Sequence, residues 1–263
     1  MGRAATFCLL LAMGSALSAA DEPDPLGEAR TLYNQRQFEA SVGAAERARL
    51  IPELADRADL IAARAYLERF RESSTAEDLV SARERLRRLD PLQFDSRERT
   101  EFIVGLGEAL YFDESYGAAA AVFETVLDNP GGLPTDSRER VLDWWAIAVD
   151  REAWLRNEMG RQATAKRIGE RMRTELTAVP GSAAASYWLA ASARAQGDLQ
   201  AAWDAVEAGW VRASLTADRG AALRADLDRL MLVAIVPEQA RALSQPEDTL
   251  RLDWENFKER WGN

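Results

Sequence analysis

The sequence predicts an all-α protein, a right-handed array of about five helical hairpins closed by an atypical C-terminal helical cap. Three observations lead to this fold class. Residues 102–130 contain two short amphipathic helices joined by a turn too short for anything but an antiparallel return. Small residues occupy the faces on which these two helices are predicted to pack against each other. The pentapeptide DSRER occurs twice, 41 residues apart, within the period of about 34–47 residues that helix-hairpin repeats show.

The hairpin at residues 102–130 gives the clearest pattern. Apolar residues recur at helical spacing on both sides of a turn predicted at residues 113–115. Gly107 lies in the first helix, and Gly117 followed by four alanines opens the second. Because two helix axes approach closely only where side chains are small, this composition predicts a tight pair. Tyr116 and Phe123 are expected to fill the flanking gaps.

The two DSRER copies, at residues 95–99 and 136–140, are predicted helix starts. In each copy the Asp is expected to cap a helix, and the Glu three residues later completes the capping box. Ser74 and Glu77 predict a further box of the same kind.

Other hairpins are predicted on both sides of the central one. They cover residues 26–50, 55–90, 141–178 and 182–213, with turns at 35–37 and 197–198. After residue 213 the hairpin pattern becomes irregular. The sequence there predicts an apolar helix at 221–236 and two short helices that begin at Pro237 and Pro246. We therefore predict a flexible leader at 21–25, repeats at 26–215 and capping helices at 216–263.

The central hairpin resembles a tetratricopeptide repeat. The matching positions are Leu106 and Gly107 for the Leu-Gly pair, Tyr111 and Tyr116 for the aromatics, and then Ala119, Phe123 and Leu127 in register, with Pro130 one place early. In the fifth hairpin Gly197, Asp198 and Leu199 resemble the family's turn, and Leu189 and Ala190 stand at the Leu-Gly pair. The resemblance implies a solenoid that binds a protein or peptide in its concave groove and performs no chemistry.

The N-terminal residues predict an exported protein. Arg3 precedes an apolar run at residues 4–17, and the small residues Ser18, Ala19 and Ala20 offer a cleavage site before Asp21. We expect a signal peptide over 1–20, a periplasmic or secreted mature protein of bacterial type, and no stable membrane insertion after cleavage. A retained anchor is the alternative, but a spanning helix needs about 20 apolar residues.

Residue composition excludes several kinds of chemistry. The chain has no histidine, and its single cysteine, Cys8, lies in the predicted signal peptide. Zinc sites built from Cys and His and catalysis by Ser-His-Asp or Cys-His are therefore excluded. We expect no cofactor, no metal and no enzyme, although a carboxylate-based hydrolase stays open as an alternative. The formal net charge of −10 disfavours nucleic acid as a partner.

The predicted binding surface is the concave face, lined by the first helix of each hairpin. Aromatic and arginine side chains there would supply most of the energy for binding a peptide or partner helix. In an alternative interpretation the tyrosines only fill gaps between hairpins. The expected residues of this face are Tyr33, Asn34, Arg64, Glu68, Glu108, Tyr111, Phe112, Tyr187 and Arg194.

The tryptophans support a different function. All eight lie beyond residue 143, and exposed tryptophans could stack on sugar rings in a saccharide-binding or saccharide-processing protein of the cell envelope. The two functions differ in whether Trp188, Trp203 and Trp210 are exposed and co-planar or interior. Self-assembly through the C-terminal helices is a third possibility, and the sequence leaves the oligomeric state open.

Overall fold

The computed structural model describes residues 24–129, 131–155, 157–216, 218 and 220–262. Over these residues the chain forms helices and no strand, so the prediction of an all-α fold is confirmed. The predicted signal peptide at 1–20, most of the predicted leader and Pro130 lie outside the described residues.

Ten helices follow one another in five packed pairs. Each helix packs against the next one, and the odd-numbered helices also pack against one another in the order α1, α3, α5, α7 and α9. This second set of contacts places the odd-numbered helices side by side. The helices are α1 (Pro25–Asn34), α2 (Phe38–Arg49), α3 (Ala55–Ser73), α4 (Ala76–Leu86), α5 (Ser96–Phe112), α6 (Tyr116–Leu127), α7 (Thr135–Ala153), α8 (Glu158–Ala178), α9 (Ala183–Ala195) and α10 (Leu199–Arg212).

The C-terminal part packs on the last pair and shares its apolar core. It consists of α11 (Ala221–Leu230), a π-helical turn (Met231–Ile235), α12 (Val236–Leu243) and α13 (Glu247–Trp261). Trp254 of α13 is fully buried, and its ring lies edge-on against Trp210 of α10, with centroids 5.2 Å apart. These helices therefore cover the end of α9 and α10 with a continuous apolar cluster.

Pro237 lies at the start of α12, as predicted, but no break separates this helix from the one before it. The backbone stays right-handed helical from α11 through the π-helical turn into α12. The amide of Val236 bonds to the carbonyl of Met231, five residues back, which widens the turn just before the proline. A π bulge makes room for a ring that would otherwise clash with the preceding turn. The proline is therefore accommodated inside one long helix.

Three of the five pairs are joined by the same turn. The turns at residues 35–37, 113–115 and 196–198 share one hydrogen-bond pattern, in which the third residue's amide bonds to the carbonyl five residues back. The middle residue of each has positive φ: 60° at Arg36, 57° at Glu114 and 79° at Gly197. The predicted turns are confirmed, and their shared geometry makes the first, third and fifth pairs structurally alike.

A glycine at the middle turn position should stabilise the protein. Of the three middle residues only Gly197 suits the left-handed backbone conformation. A residue with a Cβ makes this conformation less stable by about 1 kcal/mol or more. We therefore expect Glu114→Gly to raise the free energy of unfolding by about 0.5–1 kcal/mol in urea denaturation. The matched exchange Glu77→Gly, in the first turn of α4, should lower it. Equal effects at the two positions would contradict this account of the turn.

The two DSRER copies start helices in different ways. Asp95 caps α5 as predicted, since its carboxylate accepts a hydrogen bond of 2.8 Å from the amide of Glu98. The second helix, α7, begins at Thr135, so Asp136 already lies inside it and the predicted cap is wrong. The box predicted at Ser74 is also wrong, because Ser74 adopts a left-handed conformation that ends α3.

The glutamates of the two copies join different helix pairs instead of closing capping boxes. Glu98 is buried and pairs with Arg30 of α1 (2.8 Å) and Arg57 of α3 (3.1 Å). Glu139 accepts a hydrogen bond of 3.1 Å from the amide of Ala184 at the start of α9. The two copies therefore have the same sequence but lie at different places relative to their helix starts, and their glutamates contact different helices.

Candidate functional site

A cavity of about 1060 Å³ opens along the odd-numbered helices. Four of them, α1, α3, α5 and α7, line it together with the segment between α6 and α7. We term it the groove. It is lined by Tyr33, Asn34, Arg36, Phe38, Arg64, Glu68, Arg71, Ser96, Arg97, Thr100, Glu101, Val104, Asn129, Gly131, Gly132, Leu133, Pro134, Ser137 and Arg140.

Five of the nine predicted surface residues lie at or beneath the groove. Tyr33, Asn34, Arg64 and Glu68 line it. Glu108 of α5 does not line it but is buried nearby, close enough to interact electrostatically with Arg64, Glu68 and Arg140. The structure therefore brings together the predicted residues of α1, α3 and the middle of α5.

Tyr111 and Phe112 pack between helix pairs, away from the groove. The Tyr111 ring stacks on Trp144 of α7, with centroids 6.4 Å apart and planes 24° apart. Phe112 packs on Phe70 of α3 at 5.0 Å. Both rings are half-buried, and these contacts agree with the interpretation in which aromatics fill gaps between hairpins.

Tyr187 and Arg194 of α9 also lie outside the groove. Tyr187 contacts Trp188 edge-on at 5.6 Å and packs against the C-terminal apolar cluster. The guanidinium of Arg194 binds Glu238 of α12 through two hydrogen bonds of 3.0 and 2.5 Å. Both side chains therefore take part in attaching the C-terminal helices to α9.

Two carboxylates in the groove are each shared by two arginines. Glu68, which is only 4% exposed, accepts hydrogen bonds from Arg71 (2.8 Å) and from Arg140 of α7 (2.9 Å). Glu101 pairs in the same way with two further arginines of the lining, Arg64 at 3.5 Å and Arg97 at 3.0 Å. With Arg36, the lining therefore carries five guanidinium groups and two carboxylates.

Arg64 and Tyr33 form the floor of the groove where α1 meets α3. The guanidinium lies 4.7 Å from the centroid of the Tyr33 ring, a cation–π distance. Burial raises the pKa of Tyr33, so its phenol stays neutral. Burial alone would lower the pKa of Arg64. It is outweighed by Tyr33, which ionises only at the high pH where arginine itself titrates, and by the surrounding glutamates, so that the pKa of Arg64 is raised. Arg64 is therefore a permanent cation in the groove.

Glu108 is a buried carboxyl with an unusual protonation state. Burial raises its pKa to about 7, and Glu68 adds to this effect, while Arg64 and Arg140 oppose it. None of the described residues donates a hydrogen bond to its side chain. The carboxyl beneath the groove is therefore partly protonated near neutral pH.

Sequence reasoning missed most of the arginines of the groove. Arg36, Arg71, Arg97 and Arg140 were not predicted there, nor was the segment between α6 and α7. Arg97 and Arg140 both belong to the DSRER copies, but Arg97 is the third residue of its copy and Arg140 is the fifth. Treating the two copies as equivalent would therefore not have placed both arginines in the groove.

The three tryptophans that distinguish the two predicted functions do not form an exposed platform. Trp203 is 9% exposed and donates to Glu207 at 3.0 Å. Trp188 is half-buried and donates to Asp143 at 2.7 Å. Trp210 is half-buried against Trp254. Their rings therefore offer no set of free faces on which a sugar chain could stack.

Comparison with known proteins adds no relative. No family model, no curated protein and no solved structure matches the chain. The part of the chain that the structure describes contains no helix long and apolar enough to span a membrane. It also contains no group of three or more histidine, cysteine or acidic side chains able to hold a metal ion. The fold and the groove therefore define the class of this protein as an array of packed helix pairs with a polar groove.

Proposed function

We propose that this protein is a non-catalytic scaffold of tetratricopeptide-like hairpins that binds an extended segment of another protein in the groove. The observation that carries the proposal is the course of the groove, which crosses α1, α3, α5 and α7 and so spans four successive helix pairs. A binding surface of this kind is what stacked helical hairpins produce, because the first helices of the pairs lie side by side.

The size and lining of the groove also favour a peptide. Its volume of about 1060 Å³ slightly exceeds the range of about 300–1000 Å³ for small-molecule pockets. Tyr33 and Phe38 supply aromatic contacts beside the arginines, and aromatic and arginine side chains dominate the energy of protein interfaces. The N-terminal sequence supports a periplasmic or secreted location, in which the partner would be another exported protein.

A steric block of the groove tests this function. Thr100 of α5 lines the groove and Thr125 of α6 is exposed elsewhere, and both hydroxyls bond back to their own helices. Each is changed to cysteine in a Cys8→Ser background and coupled to maleimide-polyethylene glycol. Peptides selected on the unmodified protein from a random display library should lose binding when position 100 is coupled.

Coupling at position 125 is the matched control, because the substitution and the polymer are the same. Selected peptides should bind this conjugate as they bind the unmodified protein. If both conjugates bind equally well, or if no peptide can be selected, the proposed function is wrong.

A further inference from the structure

We infer that the groove selects an acidic polypeptide segment, whose carboxylates bind the arginines at its floor and rim. The inference rests on the proposed function and names the chemistry of its ligand. Three features of the lining lead to it: an excess of positive charge, an uncapped helix start and a partly exposed arginine at the floor.

The charge of the groove is opposite to that of the whole protein. The chain carries a formal net charge of −10, yet five arginines and only two carboxylates line this cavity. Arg36 pairs at 3.5 Å with Glu72, which does not line the groove. The other four arginines share two carboxylates, so their guanidinium groups are incompletely neutralised. Arginine binds carboxylates through a planar fork of donors, which makes it suited to this ligand. A carboxylate from outside would complete these pairs.

The start of α7 adds a second attraction for anions. This helix of 19 residues begins after Pro134, and no side-chain cap satisfies its first amides. Pro134 and Ser137 both line the groove, so the helix start faces it. The amides and dipole at a helix N-terminus favour negative charge. By contrast, the start of α5 in the same groove already has the carboxylate of Asp95.

The exposed part of Arg64 supplies the third feature. Its Nε is shielded from solvent and from any ligand in the groove, and it has no hydrogen-bond partner among the described residues. The side chain as a whole is 19% exposed, and its ion-pair partner is Glu101, at 3.5 Å. Arg64 also lies next to a second, smaller opening formed with Asn34 and Arg97. A carboxylate in the groove could therefore contact the exposed part of this cation.

The rest of the surface restricts which anion can enter. A long polyanion such as nucleic acid would be repelled by the acidic surface outside the groove. A short acidic stretch of polypeptide places its charge only where the arginines are and presents apolar side chains to Tyr33 and Phe38. Free inorganic phosphate is also an anion that arginine binds, but it has no apolar group that could contact the rings of Tyr33 and Phe38.

The test compares the composition of selected peptides and the effect of one charge reversal. Arg97 is 73% exposed in the groove, and Arg88 is 53% exposed after the end of α4, outside it. Peptides selected on the unmodified protein should be enriched in Asp and Glu relative to the library. Arg97→Glu should weaken their binding about tenfold or more, whereas Arg88→Glu should leave it almost unchanged. Isothermal titration calorimetry measures both, and circular dichroism checks the fold.

The possible failures are distinguishable. If no peptide can be selected, the proposed function itself fails. If the selected peptides show no acidic bias, or if Arg97→Glu and Arg88→Glu weaken binding equally, only the inference about charge fails. Inorganic phosphate is titrated as a separate probe. Phosphate binding by the groove, without any selected acidic peptide, would indicate a small-anion site and overturn the inference.

Discussion

Replacing Gly107 with leucine should lower the free energy of unfolding by about 3 kcal/mol or more, the upper end of the cost of overpacking. A Cβ at this position would lie 2.4 Å from Cε1 and 2.7 Å from Cδ1 of Phe123. Phe123 cannot move aside easily, because it is fully buried in α6 and packs against Trp144 at 6.0 Å. The added side chain must therefore separate α5 from α6 or displace the core between the third and fourth pairs.

Gly43 provides the matched control for this substitution. It also lies inside a helix, α2, but it is exposed and no atom lies within 4 Å of an added Cβ. There leucine should raise stability by about 0.5–1 kcal/mol, because glycine is a poor helix former. Urea denaturation followed by circular dichroism measures both variants. If Gly107→Leu unfolded at the same urea concentration as Gly43→Leu, the close packing of α5 and α6 would be wrong.

Replacing Glu108 with glutamine should stabilise the protein at alkaline pH and leave it unchanged in acid. The folded pKa of about 7 exceeds the ordinary value of 4.5, so between these values the folded protein holds a proton that the unfolded chain has released. The proton bound by the folded protein therefore stabilises it. This stabilisation is complete at pH values below the unfolded pKa, and it is lost as the pH rises through the folded pKa of about 7. The loss above pH 7 is on the order of 3 kcal/mol, at about 1.4 kcal/mol for each pKa unit.

Glutamine has the same shape but cannot ionise, so the variant should avoid this loss. At about pH 8 Glu108→Gln should be more stable than the natural protein, and at about pH 5 the two should be alike. Urea denaturation across this range measures the difference. Glu84→Gln, at an exposed residue of α4, controls for other titrating groups. Parallel pH profiles for the natural protein and Glu108→Gln would show that Glu108 is not buried as described.

Local patterns in the sequence were enough to predict the helices and the shorter turns. The turn at 113–115 follows from short-range hydrogen bonding and is found where expected. Gly107 was identified as a point of close helix approach, and its distance to Phe123 agrees with that. Such features depend on residues near one another in the chain, so one sequence suffices to predict them.

Some helix boundaries, and the contacts between residues distant in the chain, were predicted less well. Asp136 was expected to cap a helix because Asp95 does, but α7 starts one residue before it, after Pro134. Pro237 lies at the start of α12 as expected, but the π-helical turn that joins α12 to α11 without a break was not predicted. Arg140 bonds to Glu68, 72 positions earlier in the chain, and no local pattern indicates such a pair. The arginine-lined groove therefore became visible only when the odd-numbered helices were placed side by side.

Hydrogen–deuterium exchange with and without a selected peptide tests the central claim, that the odd-numbered helices form the binding site. Peptide binding should slow amide exchange at residues 131–133, at the start of α7 and at Arg36, which all border the groove. Exchange in α8 and α13 should stay the same. Protection confined to α10 and the C-terminal helices, with no change around the groove, would contradict the account.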